Sequence, residues 1–328
     1  MKPQFLAAAA ALFLTSCGYI GDPLPPLANV PSRVQDLVAI QRGSVIISHL
    51  TIPQLTTEGK PIPRPLTFDL RVGTNEGEHF DENEWALHAR RIVTPELTGP
   101  IATYEIPTKD WTGKEVILGV RITAANGKSS GWSNFVIVPV VPPPPTPEDI
   151  TPTATAQGIQ LTWRAAGKAF RVLRKTEGAE YAVAANVAAP EWTDTAAEFG
   201  KRYSYVIQTI VPLENNKEAE SDLSAEASIT PVDKFPPASP AGVHADSAPA
   251  SIELNWDRNS EPDLAGYRVY RATGEGAFEK VADLAPVPTW SDHAIESGKT
   301  YRYALTAFDR AGNESPRSAP VQITFAGR

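Results

Sequence analysis

Two stretches of this chain repeat one another strand for strand, and that repeat leaves little freedom of fold. Ile159-Gln160-Leu161-Thr162-Trp163 is matched by Ile252-Glu253-Leu254-Asn255-Trp256, a strict alternation ending in tryptophan. Phe170-Arg171-Val172-Leu173-Arg174 is matched by Tyr267-Arg268-Val269-Tyr270-Arg271, and Trp192-Thr193-Asp194 by Trp290-Ser291-Asp292. Gly200-Lys201-Arg202-Tyr203-Ser204-Tyr205 then aligns with Gly298-Lys299-Thr300-Tyr301-Arg302-Tyr303, with the same step from tryptophan to tyrosine in both copies. Successive side chains of a strand point to opposite faces, so period-two alternation of aromatic and β-branched residues marks strands with one buried face. A helix cannot use that pattern.

Proline sets the boundaries. The chain holds 31 prolines in 328 residues, and proline between apolar runs punctuates strands. Clusters at Pro139–Pro147 and Pro231–Pro240 leave three segments, which makes a repeat the first thing to look for. The first segment follows the pattern loosely. Val45–Leu50 stands at the tryptophan strand without a tryptophan, and Thr67–Val72 fits the next strand. Gly113-Lys114 opens the last one, with Val116 and Leu118 in place of the tyrosines.

The I-x-L-x-W strand, the Gly-x-x-Tyr-x-Tyr strand and the module length resemble fibronectin type III domains. The resemblance implies an all-β chain of tandem immunoglobulin-like sandwiches, each with two packed antiparallel sheets. It places Trp163 and Trp256 at the sandwich centres and Tyr203 and Tyr301 at tyrosine corners. The expected organisation is a signal peptide over 1–16, a lipidated cysteine and proline-rich tether over 17–31, and three modules. The modules span 32–139, the divergent one, then 147–231 and 240–325.

The N-terminus carries a second resemblance. Lys2 precedes an apolar run from Phe5 to Leu14, too short to span a bilayer and suited to a secretory signal. Leu14-Thr15-Ser16-Cys17 is similar to the lipobox of bacterial lipoproteins, which implies cleavage before Cys17 and a diacylglyceryl group on its thiol. Acyl chains contribute about 0.8 kcal/mol per buried methylene, so several on one residue anchor stably. Cys17 is the only cysteine. Once it is modified, no thiol remains for a disulfide, a metal or a nucleophile. Gly18-Tyr19-Ile20-Gly21 follows without an aspartate directly after the cysteine, which favours the outer membrane over the inner. The expected location is the bacterial cell envelope, facing periplasm or cell surface.

A net charge of −8 with no Lys/Arg cluster argues against nucleic acid as a partner. The five histidines are scattered, and no phosphate loop, HExxH, GxSxG or CxxC motif is present. No catalytic residue, metal or cofactor is expected. Acidic and amide residues crowd two loops, Asp257, Asn259, Glu261 and Asp263 in one and Asp309, Asn313 and Glu314 in the other. Calcium would suit such oxygens, yet turn chemistry accounts for Asp and Asn there more simply. Trp85, Trp111 and Trp132 have no counterpart in the repeat and raise the alternative of a sugar-stacking platform. The expected function is protein–protein interaction, adhesion or spacing by a lipid-anchored chain, with polysaccharide binding as the alternative. The partner would be an envelope protein or a polysaccharide. Two loops of the first segment, 53–65 and 126–132, should meet at one pole, making Lys60, Arg64, Lys128 and Trp132 the candidate partner-binding residues.

Overall fold

The computed structural model describes residues 29–95 and 99–327. Cys17 and most of the tether lie outside them. The chain divides into two compact units, one reaching Val140 and one starting at Val141, with the Gln41–Ser44 turn grouped with the second.

The first unit holds β1 (Val38–Arg42), β2 (Val45–Thr51), β3 (Thr67–Gly73), α1 (Glu82–His88), β4 (Arg90–Ile92), β5 (Ile101–Pro107), β6 (Glu115–Thr123) and β7 (Val136–Pro139). β1, β2 and β5 lie side by side, and a second sheet runs β4-β3-β6-β7. The alternation in sequence becomes a core: Ile46 and Leu50 from β2 meet Phe68, Leu70 and Val72 from β3 and Val116, Leu118, Val120 and Ile122 from β6. The opposite phase of β3 and β6 faces outward.

The second unit contains two sandwiches. One is built from β8 (Glu148–Thr155), β9 (Gly158–Arg164), β10 (Phe170–Thr176), β11 (Ala182–Val187), β12 (Glu191–Asp194), β13 (Tyr203–Pro212), β14 (Glu218–Glu220) and β15 (Ala227–Ile229). The other uses β16 (His244–Ser247), β17 (Ile252–Asn255), β18 (Leu264–Thr273), β19 (Glu279–Leu284), β20 (Thr289–Asp292), β21 (Thr300–Asp309) and β22 (Val321–Thr324). Their sheets correspond: β12-β9-β8 to β20-β17-β16, and β11-β10-β13 with β15 to β19-β18-β21-β22. The three-plus-four arrangement is that of tandem fibronectin type III-like sandwiches.

Trp163 and Trp256 occupy the sandwich cores, each 6% exposed and edge-on to Phe170 or Tyr267. The Tyr203 hydroxyl accepts the Glu198 N–H at 3.0 Å, and Tyr301 accepts that of Glu296 at 2.8 Å. These bonds reach five residues upstream and close the tyrosine corners.

Two devices repeat that the sequence pattern does not announce. In the second unit the aspartate of each Trp-x-Asp triplet is buried and accepts the hydroxyl of the second tyrosine of the Tyr-x-Tyr strand, Tyr205 to Asp194 at 2.8 Å and Tyr303 to Asp292 at 2.7 Å. Arg174 and Arg271 complete the pairs at 2.8 and 2.7 Å.

The other device is a pair of buried serines three residues apart, present in all three modules: Ser130/Ser133, Ser221/Ser224 and Ser315/Ser318. Each grips one residue of the preceding long strand twice. Its N–H donates to that residue's carbonyl while its Oγ accepts that residue's N–H, as Ser221 does to Thr209 at 2.9 Å in both bonds. Ser133 holds Val120 and Ser318 holds Leu305 in the same way. A segment that does not continue the ladder thereby satisfies the strand's backbone.

Candidate functional site

The first module departs from the repeat on the outer face of its four-stranded sheet. Between β3 and β4 the chain inserts a turn and α1. Asp81 caps the helix, accepting the Asn83 and Glu84 N–H groups at 2.9 Å, and Glu82 and Glu84 complement the positive end of its dipole. The helix presses Trp85 onto the sheet, where it is 4% exposed and its indole donates to the Gly73 carbonyl at 3.3 Å. Trp85, Trp132, Ala89 and Ile117 form a second, smaller core with Phe135 against it. Trp85 meets Trp132 and Phe135 edge-on at 5.5 and 5.2 Å, and Phe80 meets Phe135 at 4.7 Å. Gly119 makes room for this: a Cβ there would lie 2.5 Å from the Phe135 ring.

Charge closes the other end of the same face. Asp69, 9% exposed, accepts Arg71 at 3.0 Å and Arg121 at 3.1 Å, with Arg91 at 3.5 Å. Arg121 and Arg71 also stack on Trp132, 4.8 and 5.7 Å from its ring centre. Burial alone would push the Asp69 carboxyl up, but hydrogen bonds and charge from Arg71 and Arg121 outweigh it and hold it below the usual range. A carboxyl lowered in the folded state contributes stability above its unfolded value, about 3.9, and loses it as pH falls through the folded one. Acid titration should therefore loosen this face below about pH 4, read as a change in near-UV tryptophan dichroism. Asp69→Asn should abolish that step and lower stability at neutral pH.

The loop pole lies elsewhere on the module. The Ala125 N–H donates to the Pro63 carbonyl at 3.2 Å, so loops 53–65 and 124–128 do meet. Lys60, Arg64 and Lys128 are all exposed there, and Arg64 donates to the Gln54 amide oxygen at 2.8 Å. Trp132 is a correction: it is 4% exposed and does not share that surface. Ser130 and Ser133 on either side are clasped to β6, which fixes the intervening Trp132 against the sheet under its arginines. Trp85 is equally buried, and Trp111 is half-buried under Arg90 at 5.0 Å.

In the third module, carboxylate oxygens of Asp263 and Asp309 come within 4.8 Å of each other and of Asp233 from the preceding linker. Burial first, then the Asp309 and Asp263 charges, push the Asp233 carboxyl up against the N–H of Phe235. Most of the acidic and amide groups singled out in sequence have structural work. Asn259 and Glu261 hold Ala238 of the linker through its carbonyl and N–H at 2.8 and 2.6 Å. Asp309 accepts twice from Asn313 at 2.8 Å, and Glu314 accepts Tyr270 at 2.7 Å and Thr306 at 2.6 Å. Asp257 packs over Gly242. This is the turn and linker chemistry expected of such residues.

Fold and surface together define a tandem β-sandwich protein, fibronectin type III-like in fold, with one module elaborated by a helix. No protein-family model matches the chain. Over 137 residues it is 28% identical to Exoglucanase B of Cellulomonas fimi, covering 40% of this chain and 12% of that protein. Over 83 residues it is 35% identical to an amylopullulanase of Thermoanaerobacterium saccharolyticum, covering 25% of this chain and 6% of that one. The chain thus spans a small fraction of the length of these curated relatives. Among solved structures it is similar to the chicken CNTN1 FN1-FN3 domains, at 16% identity and a TM-score of 0.29, over 90% of this chain and 100% of that one.

Proposed function

We propose that this chain is a lipid-anchored protein of the bacterial envelope whose modules serve interaction, adhesion or spacing, without catalysis of their own. Cys17 would carry the lipid and the following tether, about 40 Å at full polyproline extension, would hold the modules off the membrane. The outer membrane, facing periplasm or surface, is the favoured location. The observation that carries the reading is a division of labour. In the second and third modules the repeated Trp, Tyr, Asp and Arg side chains are committed to internal contacts. The first module diverts two of its three unmatched tryptophans, Trp85 and Trp132, to an outer face with an inserted helix. A repeated, self-satisfied module suits spacing, and the elaborated one suits recognition.

Polysaccharide binding is the second reading, favoured by relatives named as an exoglucanase and an amylopullulanase. Burial of Trp85 and Trp132 weighs against a tryptophan stacking platform. The two readings separate in one preparation. Wild-type protein should enter the membrane fraction and need detergent for release, Cys17→Ala should not, and neither should be retained on cellulose or starch. Wild-type protein fully soluble without detergent would defeat the anchor. Retention on either polysaccharide would move the function to the second reading.

A further inference from the structure

We propose that the cleft beside α1 docks an extended segment of an envelope protein in which an apolar side chain stands next to lysine or arginine. The inference rests on reading the first module as the interacting one. Phe80, Phe135, Ile117 and Ile137 line a cleft of about 440 Å³, within the ~300–1,000 Å³ common for binding pockets. Phe80 remains 41% exposed although its ring packs on Trp85 and Phe135, and Ile137, paired with Ile117, remains 44% exposed. Burying them against a partner would be favourable at roughly 25 cal/mol per Å² of apolar surface.

The charge around the cleft selects the occupant. Asn75 lines both this cleft and an adjoining pocket of about 210 Å³ that holds Glu76, Asp81 and Glu84, with His79 and His88. Glu115 lies on the cleft itself, and no lysine or arginine lines either. An apolar anchor in the cleft would place an adjacent cationic side chain beside Glu115 on the cleft or the Glu76 and Glu84 carboxylates of the adjoining pocket, Asp81 being taken up by the helix N-terminus. Such complementarity steers encounter and fixes register, while a buried apolar anchor supplies most of the affinity. A neutral glycan offers no cation, and an anionic lipid headgroup would be repelled.

The test uses the full-length protein in detergent at pH 7.5 and three fluorescein-labelled pentapeptides: Ala-Phe-Lys-Lys-Ala, Ala-Phe-Glu-Glu-Ala and Ala-Gly-Lys-Lys-Ala. Fluorescence anisotropy should show the first binding at least about tenfold more tightly than either of the others. Ile137→Lys and the double variant Glu76→Lys/Glu115→Lys should each lose about tenfold while near-UV dichroism and Tm stay unchanged. Ile137→Ala, which truncates the apolar side chain without adding a polar group, gives a second variant should the lysine disturb the fold. Equal binding of the three peptides, no saturable signal to millimolar concentration, or folded variants that bind unchanged would overturn the cleft. Envelope crosslinks on the first module that survive Ile137→Lys would sink this cleft alone. Absence of any first-module crosslink in the wild type, with its peptide selectivity intact, would sink the broader reading instead.

Discussion

Trp256→Ala will cost the third module about 3–5 kcal/mol, as truncation of a buried aromatic does. Trp256 is 6% exposed and its ring lies 5.1 Å from that of Tyr267 at 77°, in the centre of a cluster with Ile252, Leu254 and Tyr303. Its indole nitrogen has no hydrogen-bond partner. The loss is therefore packing alone, and Trp256→Phe should recover most of it. Trp163→Ala should do the same to the second module, where Phe170 takes the place of Tyr267 at 5.4 Å. At about 4–8 °C per kcal/mol for a domain of this size, the affected calorimetric transition should fall by more than about 12 °C. Linker contacts at Ala238 will pass a little of that shift to the neighbour. Reductant should move nothing, since Cys17 is the only cysteine. A single transition moving as one for the whole chain would contradict modular packing.

Asp292→Ala should be nearly as damaging, at about 3 kcal/mol, the lower end of what breaking a buried ion pair costs. The Asp292 carboxylate is 2% exposed and accepts the Tyr303 hydroxyl at 2.7 Å, Arg271 at 2.7 Å and the Ala294 N–H at 2.9 Å. Removing it strands a fully buried hydroxyl and leaves the Arg271 guanidinium without its counter-charge, but the Ala294 carbonyl at 2.7 Å and 22% side-chain exposure keep the loss from the upper end. Burial first, and then the bond to Asp292, push the Tyr303 hydroxyl far up, so it remains a donor throughout the ordinary pH range. Asp292→Asn keeps an acceptor and should lose less. Urea unfolding reads both. A midpoint for Asp292→Ala within error of wild type would show that the network is ornamental. Asp194→Ala makes the same prediction for the second module through Tyr205 and Arg174.

What could be read from sequence was whatever obeys a short period. Ile252, Leu254 and Trp256 alternate with Glu253 and Asn255, and that rhythm alone puts the first set inside. The tyrosine corners followed from the family resemblance, which a Gly-x-x-Tyr-x-Tyr strand held in both copies helps to carry. The serine clasps were written as S-x-x-S in every module, but their meaning needs the long strand beside them, which no local pattern supplies. The aspartates at 194 and 292 stood in a matched triplet, yet their partners are eleven residues on, in the other sheet. α1 carried a signal in Asp81 and Glu84 flanking its first turn, close to a capping box. Trp132 misled because its loop position suggested exposure. Only the two clasped serines beside it reveal that the loop lies flat on the sheet.

On the proposed reading the first module does the recognising and the other two extend. Photo-crosslinking residues introduced singly at Lys60, Lys128 and Ile137, and at Val183 and Val287 on the second and third modules, test it in intact envelopes. All five positions are exposed. Discrete protein adducts should form from the first module's positions and not from Val183 or Val287. Adducts spread evenly along the chain, or confined to the second and third modules, would contradict the account.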